Sequence, residues 1–131
     1  MVALDTNVLV RYLTRDDAEQ YVQAKATIEG RCTPEMPGFI STVVLCEVVW
    51  VLKRAYGANR SEISEIVERL TLVDALALES AEAVRLALAD YRASTADFAD
   101  CLIGRLAEAH GYDTVLTFDR KAAKLDTFNQ L

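Results

Sequence analysis

Five carboxylates stand where ordinary surface charge does not. Asp5 ends the apolar run Val2-Ala3-Leu4, and Asp119 follows Val115-Leu116-Thr117-Phe118 in the same manner. Glu47 is the only charged residue between Val43 and Leu52. Asp100 lies between Phe98-Ala99 and Cys101-Leu102-Ile103, with Asp97 one helical turn earlier. Most of them have a structural role open to them. Asp5 and Asp119 could cap the helices that follow, and Asp97 and Asp100 could occupy a first helical turn, where acids favour the dipole. Glu47 has no such role. Its surroundings predict a helix that is apolar on every side, and a buried carboxylate must find a cation, a donor or a proton. Arg11 is one candidate partner.

If these acids meet, repulsion selects the cofactor. Two carboxylates about 4 Å apart repel by roughly 4 kcal/mol at an effective dielectric near 20. Three or four in one pocket would protonate or separate unless a divalent cation sat among them. Ligands that are all oxygen select hard ions, Mg²⁺ or its substitute Mn²⁺, over zinc. The chemistry such a centre supports is phosphodiester cleavage, in which metal activates water and neutralises the phosphate oxygens. Other chemistries lack parts. The single histidine, His110, precedes the helix-stopping Gly111, so no histidine acid–base pair exists. Cys32, Cys46 and Cys101 have neither CxxC spacing nor histidine partners, and Cys46 and Cys101 fit buried packing positions. No glycine-rich phosphate loop is present.

The elements that must position these acids follow from periodicity and capping signals. Val2-Ala3-Leu4 reads as a strand and Thr6–Leu13 as a helix. Asp16 offers the N-cap of a second helix ending at Gly30, and Thr33–Gly38 is a loop. Phe39-Ile40-Ser41 suggests a strand, and Thr42–Tyr56 a helix stopped by Gly57. Another helix begins near Asn59 or Ser61, with Ile63, Ile66, Val67 and Leu70 on one face. Val73–Leu78 reads as a strand, Ser80–Arg92 and Asp97–His110 as helices, Thr114–Thr117 as a strand and Arg120–Leu125 as a short helix. This alternation predicts an α/β fold, a parallel sheet with helices on both faces. In such sheets ligands bind beyond the carboxyl ends of the strands, where Asp5 and Asp119 lie.

The chain has 131 residues, 52% hydrophobic and 26% charged, which predicts one globular domain over 1–131. Fourteen basic against twenty acidic residues give a net charge of −6, which argues against a protein that coats nucleic acid by electrostatics alone. A metal would reverse that sign locally. No run is apolar and long enough for a membrane helix. The N-terminus lacks a basic segment and a cleavage site, and the odd cysteine count does not suit a secreted disulfide scaffold, so the expected compartment is the cytoplasm.

Four blocks, LDTNVLVRYL at 4–13, FISTVVLCEVVWVLKRAYG at 39–57, DFADCLIG at 97–104 and LTFDRKAAKL at 116–125, together resemble a PIN domain. More narrowly they resemble the VapC toxins of bacterial VapBC toxin–antitoxin systems. The resemblance implies a three-layer PIN-like fold, with a parallel sheet of about four or five strands between helices. It also implies a Mg²⁺-dependent endoribonuclease, a homodimer and a VapB-like antitoxin whose tail blocks the active site. Carried over residue by residue, the acidic quartet falls on Asp5, Glu47, Asp100 and Asp119, as catalytic residues and metal ligands. Thr6, Asn7, Asp97 and Thr117 take supporting positions. Asp100 is preferred to Asp97 because the family's acid directly precedes a small–Leu–Ile run. Arg11, Lys53, Arg54, Arg120, Lys121 and Lys124 could hold RNA backbone or simply line solvated helix faces. Three alternatives remain at this level: a PIN nuclease of RNA or DNA processing, a non-catalytic PIN module, and a haloacid-dehalogenase-like phosphatase. The last needs a second aspartate where Asn7 stands.

Overall fold

The computed structural model describes residues 1–131 as six α-helices, four three-residue strands and one 3₁₀ turn. They divide into two compact units, Met1–Asn59 with Arg69–Glu79, and Arg60–Glu68 with Ser80–Leu131. No helix is long and apolar enough to cross a membrane.

In the first unit, α1 (Thr6–Thr14) starts where Asp5 accepts the Thr6 amide at 2.8 Å and stops at Arg15, whose left-handed φ of 57° turns the chain. The second helix, α2 (Ala18–Arg31), is capped by Asp17 rather than Asp16, and it runs one residue past Gly30. Asp16 is engaged elsewhere, accepting hydrogen bonds from Thr14, Arg11 and Tyr56. Strand β1 (Gly38–Ile40) pairs in parallel with β2 (Leu76–Leu78), Phe39 facing Ala77. The N-terminal segment joins them only through one bridge, Ala3 to Phe39. Helix α3 (Thr42–Tyr56) has the predicted bounds: Ser41 accepts the Val44 amide, and Gly57 closes it at φ 65°. Leu9, Ile28, Ile40, Leu45 and Val48 are buried.

The second unit begins within α4 (Arg60–Leu72) and contains α5 (Ala81–Ala93) and α6 (Phe98–Ala109). Strands β3 (Val115–Thr117) and β4 (Phe128–Gln130) pair in parallel, with the 3₁₀ turn Ala122–Lys124 between them in sequence. The predicted sheet is therefore realised as two short parallel pairs, and its last strand, β4, has no counterpart in the sequence reading. Two polar devices set α5 against α6. Arg105 grips Asp90 with two hydrogen bonds, Nε to Oδ2 at 2.7 Å and Nη2 to Oδ1 at 2.8 Å, and reaches Glu108 at 3.0 Å. Arg60 lies over the Tyr91 ring and donates to the carbonyls of Tyr91, Ser94 and Ala96 at 2.7–3.0 Å, satisfying the end of α5 and the turn into α6. Tyr91 and Phe98 meet edge to face, centroids 5.8 Å apart.

All three cysteines are free: Cys32 and Cys101 are buried, while Cys46 is half-buried, less than its packing role predicted. Burial, with help from the Asp90 charge, pushes the Cys101 thiol up to about 11.

Gly104 sets how closely α6 approaches the chain at β4. A Cβ there would collide with the Thr127 hydroxyl and lie 2.8 Å from its Cβ and 3.0 Å from the Phe128 ring. Gly104→Ala should therefore destabilise the protein by about 1–3 kcal/mol, despite its better helix propensity. The shift of the urea midpoint measures it, and an unchanged or raised midpoint would contradict this packing.

Candidate functional site

In the second unit Asp97 occupies the N-cap position of α6 without making a side-chain capping bond, and Asp100 follows in the first turn. Asp100 is half-buried. Burial raises its carboxyl above the usual range, and the charges of Asp119 and Asp97 raise it further. Asp119 stands just beyond β3. Thr117 Oγ1 accepts the Asp119 amide at 3.0 Å, so the strand end orients the acid. Asp119 Oδ1 in turn accepts the amides of Lys121 and Ala122 at 2.8 and 3.0 Å. The capping role is thus real, and it occupies only one oxygen.

The first unit holds the other two acids. Asp5 caps α1 through Oδ1. Thr6 behind it is buried, and its hydroxyl has no hydrogen-bond partner in the protein, a state that buried hydroxyls rarely keep. Glu47 corrects the sequence reading. It is exposed, not sealed in an apolar helix, and Arg11 pairs with Asp16 instead. Its apolar neighbours Val43 and Trp50 are themselves exposed, at 66% and 62%. The pattern that reads as all-round burial is a core stripe through Leu45, Val48, Val49 and Leu52, plus an outer face carrying Glu47.

In neither unit do three or more carboxylate, histidine or cysteine side chains form a group able to hold a metal ion by themselves. Within the second unit the donor chemistry nevertheless fits a hard divalent cation, since Asp97, Asp100 and Asp119 offer oxygen alone and the charges of Asp119 and Asp97 raise the Asp100 carboxyl.

The basic residues differ in availability. Arg11 is tied down, its Nε donating to Gln20 at 2.5 Å and its Nη1 to Asp16 at 3.3 Å and Tyr56 at 3.2 Å. Arg54 lies over the Trp50 ring at 5.7 Å, and Lys53 is half-buried. Arg120, Lys121 and Lys124 are exposed around the turn after Asp119. Two features escape the sequence reading. Arg60 is one. The other is a cavity of about 340 Å³ between α1 and α2, where Gln20, Gln23 and Thr27 face Asn7, Val8 and Arg11. The i, i+3, i+7 spacing of those α2 residues was its only trace in the sequence.

With this geometry in hand, comparison with known proteins places the chain. The model of the PIN domain family matches residues 2–127, so the chain belongs to the PIN domain family. Among curated proteins it is similar to the VapC ribonuclease of Aquifex aeolicus (strain VF5), with 28% identity over 125 residues, 95% of this chain and 92% of that protein. No solved structure matches.

The crowding at Asp100 has a measurable sign. A carboxyl raised in the folded state binds its proton more tightly there than when unfolded, so stability falls as pH climbs from the ordinary carboxylate range through the raised value. Asp100→Asn should raise the melting temperature at neutral pH and flatten that part of the stability–pH profile. A lower melting temperature at pH 7 would mean that the charge is compensated.

Proposed function

We propose that residues 1–131 act as one PIN domain, a metal-dependent endoribonuclease that serves as the toxin of a type II toxin–antitoxin system in the cytoplasm. Membership of the family and likeness to a VapC ribonuclease support the activity. The observation that supports the metal dependence is the half-buried Asp100, whose carboxyl is raised first by burial and further by the charges of Asp119 and Asp97.

On this reading Asp5, Glu47, Asp100 and Asp119 would hold the cation, Mg²⁺ or Mn²⁺. When bound, it supplies a water of lowered pKa and counter-charge for the phosphate oxygens. The chain's own part is orientation. The α1 cap and the Thr117 bond fix the first and last acids, each with its Oδ2 left out of the capping bonds. Thr6 and Asn7 support Asp5 from the first turn of α1, and Asp97 supports Asp100 from the turn entering α6. Arg120 and Lys121, exposed next to Asp119, attract the RNA backbone. Lys53 and Arg54 extend that attraction along α3, and Arg11 contributes weakly because Asp16 already offsets it. A VapB-like antitoxin, in a complex with a toxin homodimer, inhibits by placing an arginine of its tail among these acids. Exposed Val43 and Trp50, on either side of Glu47, offer that tail an apolar rim.

The test is cleavage of RNA by the purified protein. Activity should require Mg²⁺ or Mn²⁺ and vanish in EDTA. Asp5→Asn should abolish it without unfolding the chain, and Asp100→Asn should cost at least about 10²-fold, near 3 kcal/mol of barrier. Asp97→Asn should cost less. Full activity in EDTA, or undiminished cleavage by Asp5→Asn, would remove the mechanism. The toxin role is tested by growth: co-expressing the VapB-like antitoxin of the same locus should restore it. A nuclease whose toxicity no antitoxin relieves would instead be a processing enzyme.

A further inference from the structure

We propose that the cavity between α1 and α2 is a subsite for one base of a single-stranded RNA, on a nucleotide flanking the one whose phosphate is handled at Asp5. The proposal rests on the nuclease reading above and names how that enzyme selects its cut.

Size comes first. About 340 Å³ lies within the range of small-ligand pockets, roughly 300–1,000 Å³, and is too small for a folded partner. The lining comes second. Asn7, Gln20 and Gln23 bring three amides, Thr27 a hydroxyl, and Val8 and Ala24 an apolar floor. An amide donates and accepts side by side, which is the pattern that base edges present. Sequence-selective RNA recognition works by such bonds to unstacked single-stranded bases. A phosphate would need donors only, and here three of the four neutral polar side chains carry a carbonyl oxygen.

Charge decides between base and backbone. Arg11 is the one charged residue in the lining, and it already pairs with Asp16 and donates to Gln20 and Tyr56. It therefore acts as a strut that holds the Gln20 amide in place rather than as an anion receptor. Asn7, Gln23 and Thr27 line the cavity beside it. Placement fixes which nucleotide it takes. Asn7 is two residues beyond Asp5, about 3 Å along the axis of α1 but roughly half a turn around it. Asp5 lines a separate pocket with Ala3, Leu4, Phe39, Ser41 and Val44, so a base seated on Asn7 belongs to a nucleotide flanking the one handled at Asp5.

The experiment reads binding without cleavage. The full-length protein in EDTA is titrated with four pentanucleotides, of adenosine, cytidine, guanosine or uridine, while NMR follows the side-chain amides of Asn7, Gln20 and Gln23. The expected result is that these signals move, and that the best pentanucleotide binds at least about tenfold tighter than the worst, the discrimination of one good bidentate pair. Gln23→Ala should shrink that ratio to about twofold or less. Gln23 is exposed, so the variant should fold, and Thr27→Val offers an independent second loss. Unmoved amides with all four RNAs, or equal affinities that Gln23→Ala leaves unchanged, would overturn the subsite. So would amides that respond to an arginine-tipped peptide and to no RNA, since the cavity would then belong to the antitoxin. Because no metal is present, these outcomes are independent of the cleavage assay: a protein that selects a base here and never cuts RNA in Mg²⁺ would sink the nuclease reading alone.

Discussion

A carboxylate held half-buried beside two others opposes folding, and much of the second unit is built to hold one there. Asp100 enters on the first turn of α6, Asp97 on the residue before it, and Asp119 at the end of β3. Neighbouring groups hold α6 from several sides. Arg60 satisfies three carbonyls between Tyr91 and Ala96, Arg105 binds Asp90 through a bidentate pair, and Gly104 lets the chain at Thr127 and Phe128 approach α6 without a side chain between. Burial chiefly, and the charges of Asp119 and Asp97 after it, raise the Asp100 carboxyl, so the folded chain bears a cost at that position when the acid is ionised.

The first unit manages its acids differently. Asp5 and Glu47 are exposed, so water screens them, and the unusual groups lie beside them: an unsatisfied Thr6 hydroxyl under Asp5, and exposed Val43 and Trp50 around Glu47. Val43, Glu47 and Trp50 share one face of α3, so the two exposed apolar side chains form a patch around the acid rather than scattered single exposures.

What the sequence made legible was local. Helix α3 could be read to the residue, because Ser41 and Gly57 are strong cap signals at the right spacing. The family and its α/β class were legible too, from four blocks spread along the whole chain. Long-range facts were not. The β4 segment Phe-Asn-Gln has one good strand former, and only its pairing with β3 makes it a strand. Glu47 was misjudged because an apolar run records hydrophobicity and not direction; Val43 and Trp50 resemble core until the helix is rotated into place. Asp16 and Asp17 are equal as N-caps on paper, and a tyrosine forty positions away, Tyr56, helps decide the matter by claiming Asp16. The cavity lining was invisible for the same reason, since α1 and α2 must meet before Asn7 faces Gln23.

The free thiols carry one more implication. Cys32 is sealed in the first unit and Cys101 in the second, each behind its own packing, with Cys46 partly open on α3. A thiolate is the reactive form, and a thiol pushed up to about 11 and cut off from solvent offers almost none at physiological pH. Cys101 is therefore silent towards alkylating reagents until its shell opens, and Cys32 is kept from them by burial. The molecule carries its own pair of stopwatches: the rate at which each cysteine becomes labelled times the opening of the packing around it, with no reporter added.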